Sequence, residues 1–222
     1  MCGRFALYHT ENEIKDYFDI SQLPLFDKRF NIAPSQEILC LLDDNGNKKA
    51  VMMKWGLIPF WAKAPESTRI LINARSETVA EKPAFKKAFK THRGLVIMSG
   101  FFEWIQKNGK KQPYYFKHTG DKPLVIAALW DTWQGESDAE IIRCCILTTH
   151  ANQLMNPIHD RMPVILNKNQ QPAWLDHSHY DKDRLQTLLA PCSDNELTKH
   201  PVTPKMNKAG FQEKDAIQPV II

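Results

Sequence analysis

Cys2 stands directly after Met1, and loss of that methionine, which the small cysteine side chain should permit, would leave two nucleophiles on adjacent carbons. The α-amine has a reference pKa of about 8 against about 10.4 for lysine, so roughly a tenth of it is neutral at pH 7. Lowering a lysine that far takes more than about 3 kcal/mol of differential stabilisation. An N-terminal amine is therefore the more accessible route to a Schiff base. Once it has formed an imine with an aldehyde, the thiol can close a thiazolidine ring on the same carbon, a far more durable product. Position alone leaves open the plainer reading of a small residue at a fraying terminus. A second group with suitable chemistry is Glu103, set among Phe101, Phe102 and Trp104. A carboxylate in such company is paired or functional. It could take a proton from an amine and return one to a departing oxygen.

Met1-Cys2-Gly3 also resembles the opening of the N-terminal-nucleophile glutamine amidotransferases, in which the thiol attacks and its own amine is the base. Those chains usually continue with an aliphatic residue and carry a second, ammonia-using domain. Arg4 follows here, and 222 residues leave no room for such a domain. That reading ranks second, ahead of a plain, non-covalent single-strand binding module.

The elements that must position Cys2 and Glu103 belong to an ordinary globular chain, 43% hydrophobic and 24% charged. This composition excludes disorder, and a chain of this length buries enough surface to fold without disulfides or metal. No linker-like stretch interrupts it, so one domain over residues 1–222 is expected. The five cysteines, Cys2, Cys40, Cys144, Cys145 and Cys192, are odd in number and form no CxxC pair. They read as reduced thiols of a cytoplasmic protein, not a disulfide framework or zinc ribbon. No run of about 18 apolar residues suggests a membrane span, and the first ten residues do not form a signal peptide. A net charge of +4 permits contact with a polyanion without announcing one.

Thr10-Glu11-Asn12-Glu13 is a capping box and predicts a helix to about Phe18. Short β-like runs follow at Ile38–Leu42, Ala50–Trp55 and Ile70–Ile72. A helix fits Pro83–Lys90, with Pro83 in its first turn and Gly94 just past its end. Strands are expected over Leu95–Ser99 and Phe101–Gln106, then an Asn108-Gly109 hairpin into Tyr114–Lys117. Leu124–Trp130, Ile141–Thr148 and Pro163–Leu166 add further strands, and short helices fit near Asn169–Leu175 and Asp181–Leu189. Strands that pair in sequence without regularly alternating helices make the class α+β, with antiparallel strands in a partly closed barrel.

Several motifs stand in one order: Met1-Cys2-Gly3-Arg4-Phe5-Ala6, Phe30-Asn31-Ile32-Ala33-Pro34-Ser35, and Trp55-Gly56-Leu57-Ile58-Pro59 with Trp61. They continue with Ile72-Asn73-Ala74-Arg75-Ser76-Glu77-Thr78, Gly100-Phe101-Phe102-Glu103-Trp104 and Ile158-His159-Asp160-Arg161-Met162-Pro163. Together, from residue 2 to about 204, they resemble the SRAP family, the SOS-response-associated abasic-site processing proteins, and its bacterial members in particular. The resemblance implies binding to single-stranded DNA and a covalent cross-link to abasic sites through the N-terminal cysteine. It also implies nucleoid association on DNA and a self-proteolytic or hydrolase activity. No cofactor is expected, and the partner is abasic single-stranded DNA bound by a monomer.

By the same resemblance Glu103 is the active-site carboxylate, and His159 assists proton transfer to the opening sugar. Asn73 contacts the lesion sugar or its backbone, which suits an amide that donates and accepts at once. Arg4, Arg75 and Arg161 are the expected phosphate clamps, since a guanidinium can grip phosphate with two donors. Gly3, Asn31, Pro34 and Thr149 are placed along the groove, with Thr148 beside Thr149. Trp61 and Trp104 are assigned to base stacking, and Trp55 to packing. A metal at His159 has no support, because only Asp160 stands at ligand spacing. His177 and His179 read as solvated. Met162 replaces a second arginine found in some members, which should weaken one backbone contact.

Overall fold

The computed structural model describes residues 2–62, 70–107, 109–134 and 140–221. The local signals set most of its elements. Thr10 caps helix α1 (Glu11–Phe18): its hydroxyl accepts from the Glu13 N–H, and the Glu13 carboxylate accepts the Thr10 N–H at 2.6 Å. Helix α2 (Pro83–Thr91) starts at its proline but ends on His92, so Gly94 is a strand residue and not a cap. Strands β3 (Glu37–Asp44) and β4 (Asn47–Trp55) are joined through Asn45 and Gly46, with φ of 54° and 86°. Those angles are the left-handed pair that a tight hairpin turn requires. The turn between β7 (Gly100–Lys107) and β8 (Lys110–His118) has Gly109 at φ 73°, while Asn108 lies outside the described residues.

One sheet closes on itself. β3 pairs with β4 and with β6 (Arg93–Met98), β6 pairs with β9 (Leu124–Gln134), and β9 pairs with β10 (Glu140–His150). β10 then returns to β4 in parallel, through Arg143↔Lys54 and Cys144↔Trp55, and completes a five-stranded barrel. The protein is therefore α+β, and the closed ring is more complete than the partial closure expected. The strands are mainly antiparallel, as expected, and the parallel pairings are those of β10. Beyond β4 its far end is flanked by β5 (Asn73–Arg75), again in parallel, and by β11 (Arg161–Pro163), antiparallel. The segment expected to be a strand at Ile70–Ile72 is not one: it makes the isolated Leu57↔Leu71 bridge, and the Ile72 carbonyl accepts the Ile146 N–H at 3.0 Å. β11 likewise begins two residues before the expected Pro163.

A second sheet runs in the order β12 (Leu197–Pro201), β8, β7, β1 (Phe5–Leu7), β2 (Arg29–Ile32). Its inner face packs on the barrel, where Phe5 meets the buried Trp55 at 5.2 Å, and within that face Phe101 stacks on its cross-strand neighbour Phe116 at 5.1 Å. Its outer face carries Ala6, Phe102 and Tyr115, covered by Val202, Met206, Ala216 and Ile217 of the C-terminal tail. Gly100 makes this layering possible. A Cβ there would lie 2.4 Å from the Phe116 carbonyl and from the Tyr115 hydroxyl, closer than any side chain tolerates. Helices α3 (Gln170–Leu175) and α4 (Lys182–Thr187) flank the barrel.

Candidate functional site

β1 and β7 bring Cys2 to Glu103. The antiparallel register Phe5↔Phe101 and Ala6↔Gly100 continues in the bond from the Phe102 N–H to the Arg4 carbonyl at 2.9 Å. Carried one residue further, it sets Gly3 opposite Glu103. Cys2 is fully buried, and Glu103 is only 2% exposed. Burial first, and the negative charge of Glu103 second, push the Cys2 thiol well above the usual range. Burial also raises the Glu103 carboxyl, against the lowering influence of the chain's positive amino terminus and of His159. A high thiol pKa keeps the sulfur protonated at rest, so the thiolate is scarce. A raised carboxyl pKa moves Glu103 toward the range in which it can both accept and donate a proton.

The end of β10 gathers the other groups. Asn73, on β5, donates its Nδ2 to the Cys2 carbonyl at 2.9 Å, while its Oδ1 is buried with no hydrogen-bond partner among the described residues. An amide fixed at one end and open at the other presents an acceptor beside Cys2. His159, partly exposed, ends the loop that leads into β11. Its Nδ1 accepts the Arg161 backbone N–H at 2.9 Å and lies 2.9 Å from the Asp160 carboxylate. The two contacts make opposite demands, one for a lone pair on Nδ1 and the other for a proton. Asp160 is 84% exposed and screened by water, so its hold on the ring is the weaker of the two.

Arg161 does not offer the fork expected of a phosphate clamp. Its guanidinium is buried, with Nη1 and Nη2 on the two oxygens of Glu77 at 2.6 and 3.0 Å and Nη2 also on the Thr148 carbonyl at 2.6 Å. Among the described residues Nε is the guanidinium nitrogen without a partner, so a grip on phosphate through both Nη1 and Nη2 would have to displace Glu77. Arg4 is also committed, through Nη1, to Asn31 Oδ1 at 2.8 Å and to the Met206 carbonyl at 3.3 Å. Asn31 is fully buried and does not line a groove. Its Nδ2 donates to the carbonyls of Met206, Lys208 and Phe211 at 2.9–3.0 Å and fastens the tail to β2. Trp104 likewise donates its indole N–H to Asn207 at 2.7 Å. Of the three arginines, Arg75 alone is exposed and makes no ion pair among the described residues. Trp61 is 54% exposed beside Phe60, edge-to-face at 4.9 Å.

Thr149 is buried at the end of β10, Pro34 is half-buried beside Ser35 at φ 71°, and Gly3 is half-buried next to the cysteine. Trp55 is core, with its indole on the Ile72 carbonyl. Met162 is core too: its buried sulfur accepts the Asn152 N–H at 3.4 Å. Glu77 is the residue that sequence reasoning passed over. Its signal was its place in the same run as Asn73 and Arg75. Among the described residues no group of three or more His, Cys, Asp or Glu side chains could hold a metal, and no helix is long and apolar enough to cross a membrane.

A buried cysteine at position 2, a buried carboxylate, an amide on the cysteine's own carbonyl and a histidine are the groups gathered at this barrel end. Comparison with known proteins gives the chain its family. The SOS response associated peptidase (SRAP) profile matches residues 1–209. The abasic site processing protein YoaM of Bacillus subtilis is 36% identical over 93% of each chain, and YedK of Escherichia coli is 30% identical over 99% of this chain and all of its own. A crystal structure of a Bacteroides thetaiotaomicron protein, 24% identical, superposes with a TM-score of 0.89 over 99% of this chain. The chain belongs to the SRAP family.

Proposed function

We propose that this chain recognises abasic sites in single-stranded DNA and captures the sugar aldehyde covalently through Cys2. The names of its relatives point to abasic sites. The observation that carries the chemistry is the buried Cys2 within electrostatic reach of the buried Glu103.

The reaction begins with a chain from which Met1 has been removed, because an acylated Cys2 nitrogen cannot form an imine. Glu103 takes a proton from the α-ammonium, and the freed amine attacks the open-chain C1′ aldehyde. Loss of water, with a proton returned to the departing hydroxyl by Glu103 or His159, leaves a cationic imine beside the carboxylate. The thiol then adds to the imine carbon, its proton passes to the neighbouring base, and a thiazolidine closes. No electrons are gained or lost, and one water leaves. The buried, protonated thiol favours this order, amine first, over direct thiolate attack of the amidotransferase kind. Asn73 holds the cysteine's carbonyl and turns Oδ1 toward the sugar, Arg75 and the Arg161 Nε supply donors to the backbone, and Trp61 stacks on a base. Gly3 and Thr149 border the pocket, with Pro34 at the groove edge.

The test uses the mature protein and a uracil-excised single-stranded oligonucleotide. A heat-stable adduct is expected with the parent. Cys2→Ala should give no heat-stable adduct and only an imine trappable by borohydride. A heat-stable adduct from Cys2→Ala would overturn the proposal, and ammonia release from glutamine by the parent would restore the second reading.

A further inference from the structure

We propose that Glu77 is a positioning residue for the site, clamping the arm that carries His159 to the arm that carries Asn73. This rests on the function proposed above. Asn73 and His159 come from different segments, β5 and the loop before β11, which lie on opposite edges of β10. Thr148 is the residue where they meet, since Arg75 and Pro163 are both register partners of Thr148. Glu77, two residues past the end of β5, reaches across that strand end. It holds Arg161 at the start of β11 with two bonds of 2.6 and 3.0 Å, and Arg161 adds the Thr148 carbonyl at 2.6 Å. Three strand ends are thus joined by one guanidinium. The same Arg161 gives its backbone N–H to the His159 ring at 2.9 Å, so the clamp reaches the imidazole one bond later.

The arrangement also governs what Arg161 can do. With Nη1 and Nη2 occupied, the buried Nε has no partner among the described residues, and Glu77 sets the direction in which it points. His150 lies 3.2 Å from the same Glu77 oxygen but is 76% exposed, so Arg161, with a side chain only 7% exposed, is the stronger partner. A carboxylate whose bonds all run to neighbouring strand ends orders the site without touching the sugar.

The experiment compares Glu77→Gln with the parent in two readouts: affinity for an oligonucleotide carrying a non-reactive tetrahydrofuran lesion, and the single-turnover rate of adduct formation at saturating DNA. Affinity should change by less than about threefold, while the rate should fall by about 10–100-fold, as expected when reacting groups are displaced by around an ångström. In a His159→Ala background the same substitution should cost little more, because residues acting through one another are not additive. Glu77→Arg combined with Arg161→Glu re-forms the pair in reverse and guards against simple loss of fold. It should recover part of the rate. Equal losses in both backgrounds, or lost affinity with the rate intact, would overturn the clamp. Absence of any adduct from the parent would instead count against the proposed function. In that case nuclear magnetic resonance of the free protein still tests the clamp: Glu77→Gln should move the Asn73 amide and His159 ring signals together, and unmoved signals would overturn it.

Discussion

Two buried arginines at different places on the barrel show how the same side chain serves as scaffold or as part of a site. Arg93, on β6, is fully buried, and each of its nitrogens has a carbonyl: Nε on Trp174 at 2.7 Å, Nη1 on Phe89 and Lys90 at 2.9 and 2.7 Å, and Nη2 on Asp176. It ties the end of α2 to the end of α3. Arg161, 5% exposed, keeps Nε unmatched among the described residues, and Asn73 keeps Oδ1 unmatched. A buried donor or acceptor without a partner costs about 1–3 kcal/mol. Such atoms are tolerated where a ligand completes them. Orphan atoms alone do not mark a site, since Trp130 Nε1 and His177 Nδ1 also lack partners among the described residues. What distinguishes the Arg161 end is that Asn73, with its orphan Oδ1, also holds the carbonyl of Cys2, the residue proposed to react.

The comparison breaks if Arg93 proves dispensable. Arg93→Met strands four carbonyls, and removing one side of a buried charged network costs about 3–5 kcal/mol. Thermal denaturation should show the midpoint falling by roughly 6–20 °C, at about 2–4 °C per kcal/mol for a chain of this size, with the adduct rate of the folded fraction unchanged. Asn31→Ala should follow, losing about 2–4 kcal/mol as three tail carbonyls are left unpaired, again with little change in DNA affinity. A tenfold loss of affinity at unchanged stability would return Asn31 to the DNA interface.

Glu103 sharpens the contrast through pH. Burial holds its carboxyl above the ordinary range, so the folded state keeps a proton that the unfolded chain has released above about pH 4.3. The group therefore favours folding at low pH, and that contribution is lost as pH rises through the folded value. Glu103→Gln should melt higher than the parent at pH 7, and the difference should vanish below about pH 4. It should also abolish adduct formation. A Gln variant less stable at pH 7 than the parent would mean that Glu103 is held ionised by its partners. The smallest effect belongs to Arg75→Ala, on an exposed side chain. Stability should stay within about 0.5 kcal/mol, and the salt dependence of single-strand binding should lose about 0.7 of a logarithmic unit in slope.

Much of this was legible in the sequence where the cause is local. The Thr10 capping box, Pro83 at a helix start and Glu103 among aromatic neighbours each announced themselves within a few residues. β1, at three residues, β2, at four, and the polar β12 did not, because segments of that kind show no clear periodicity and exist only through their partners. The parallel return of β10 onto β4 and β5 depends on closing the ring, a long-range fact that no window of sequence contains. The same limit explains Arg4 and Arg161. Their type suggested phosphate, but Asn31 and Met206 in one case, and Glu77 and Thr148 in the other, had already engaged them across the fold. Glu77 stood in the same run as Asn73 and Arg75, but its bond to Arg161, 84 positions away, is a long-range fact of the fold.

The account stands most directly on the mass of one product. Intact-mass measurement of the parent, first alone and then with abasic single-stranded DNA, should show a chain lacking Met1, then a species equal to protein plus oligonucleotide less one water. A chain that retains Met1 yet cross-links, or one that lacks Met1 and forms no such species, would contradict the role given to Cys2 and Glu103.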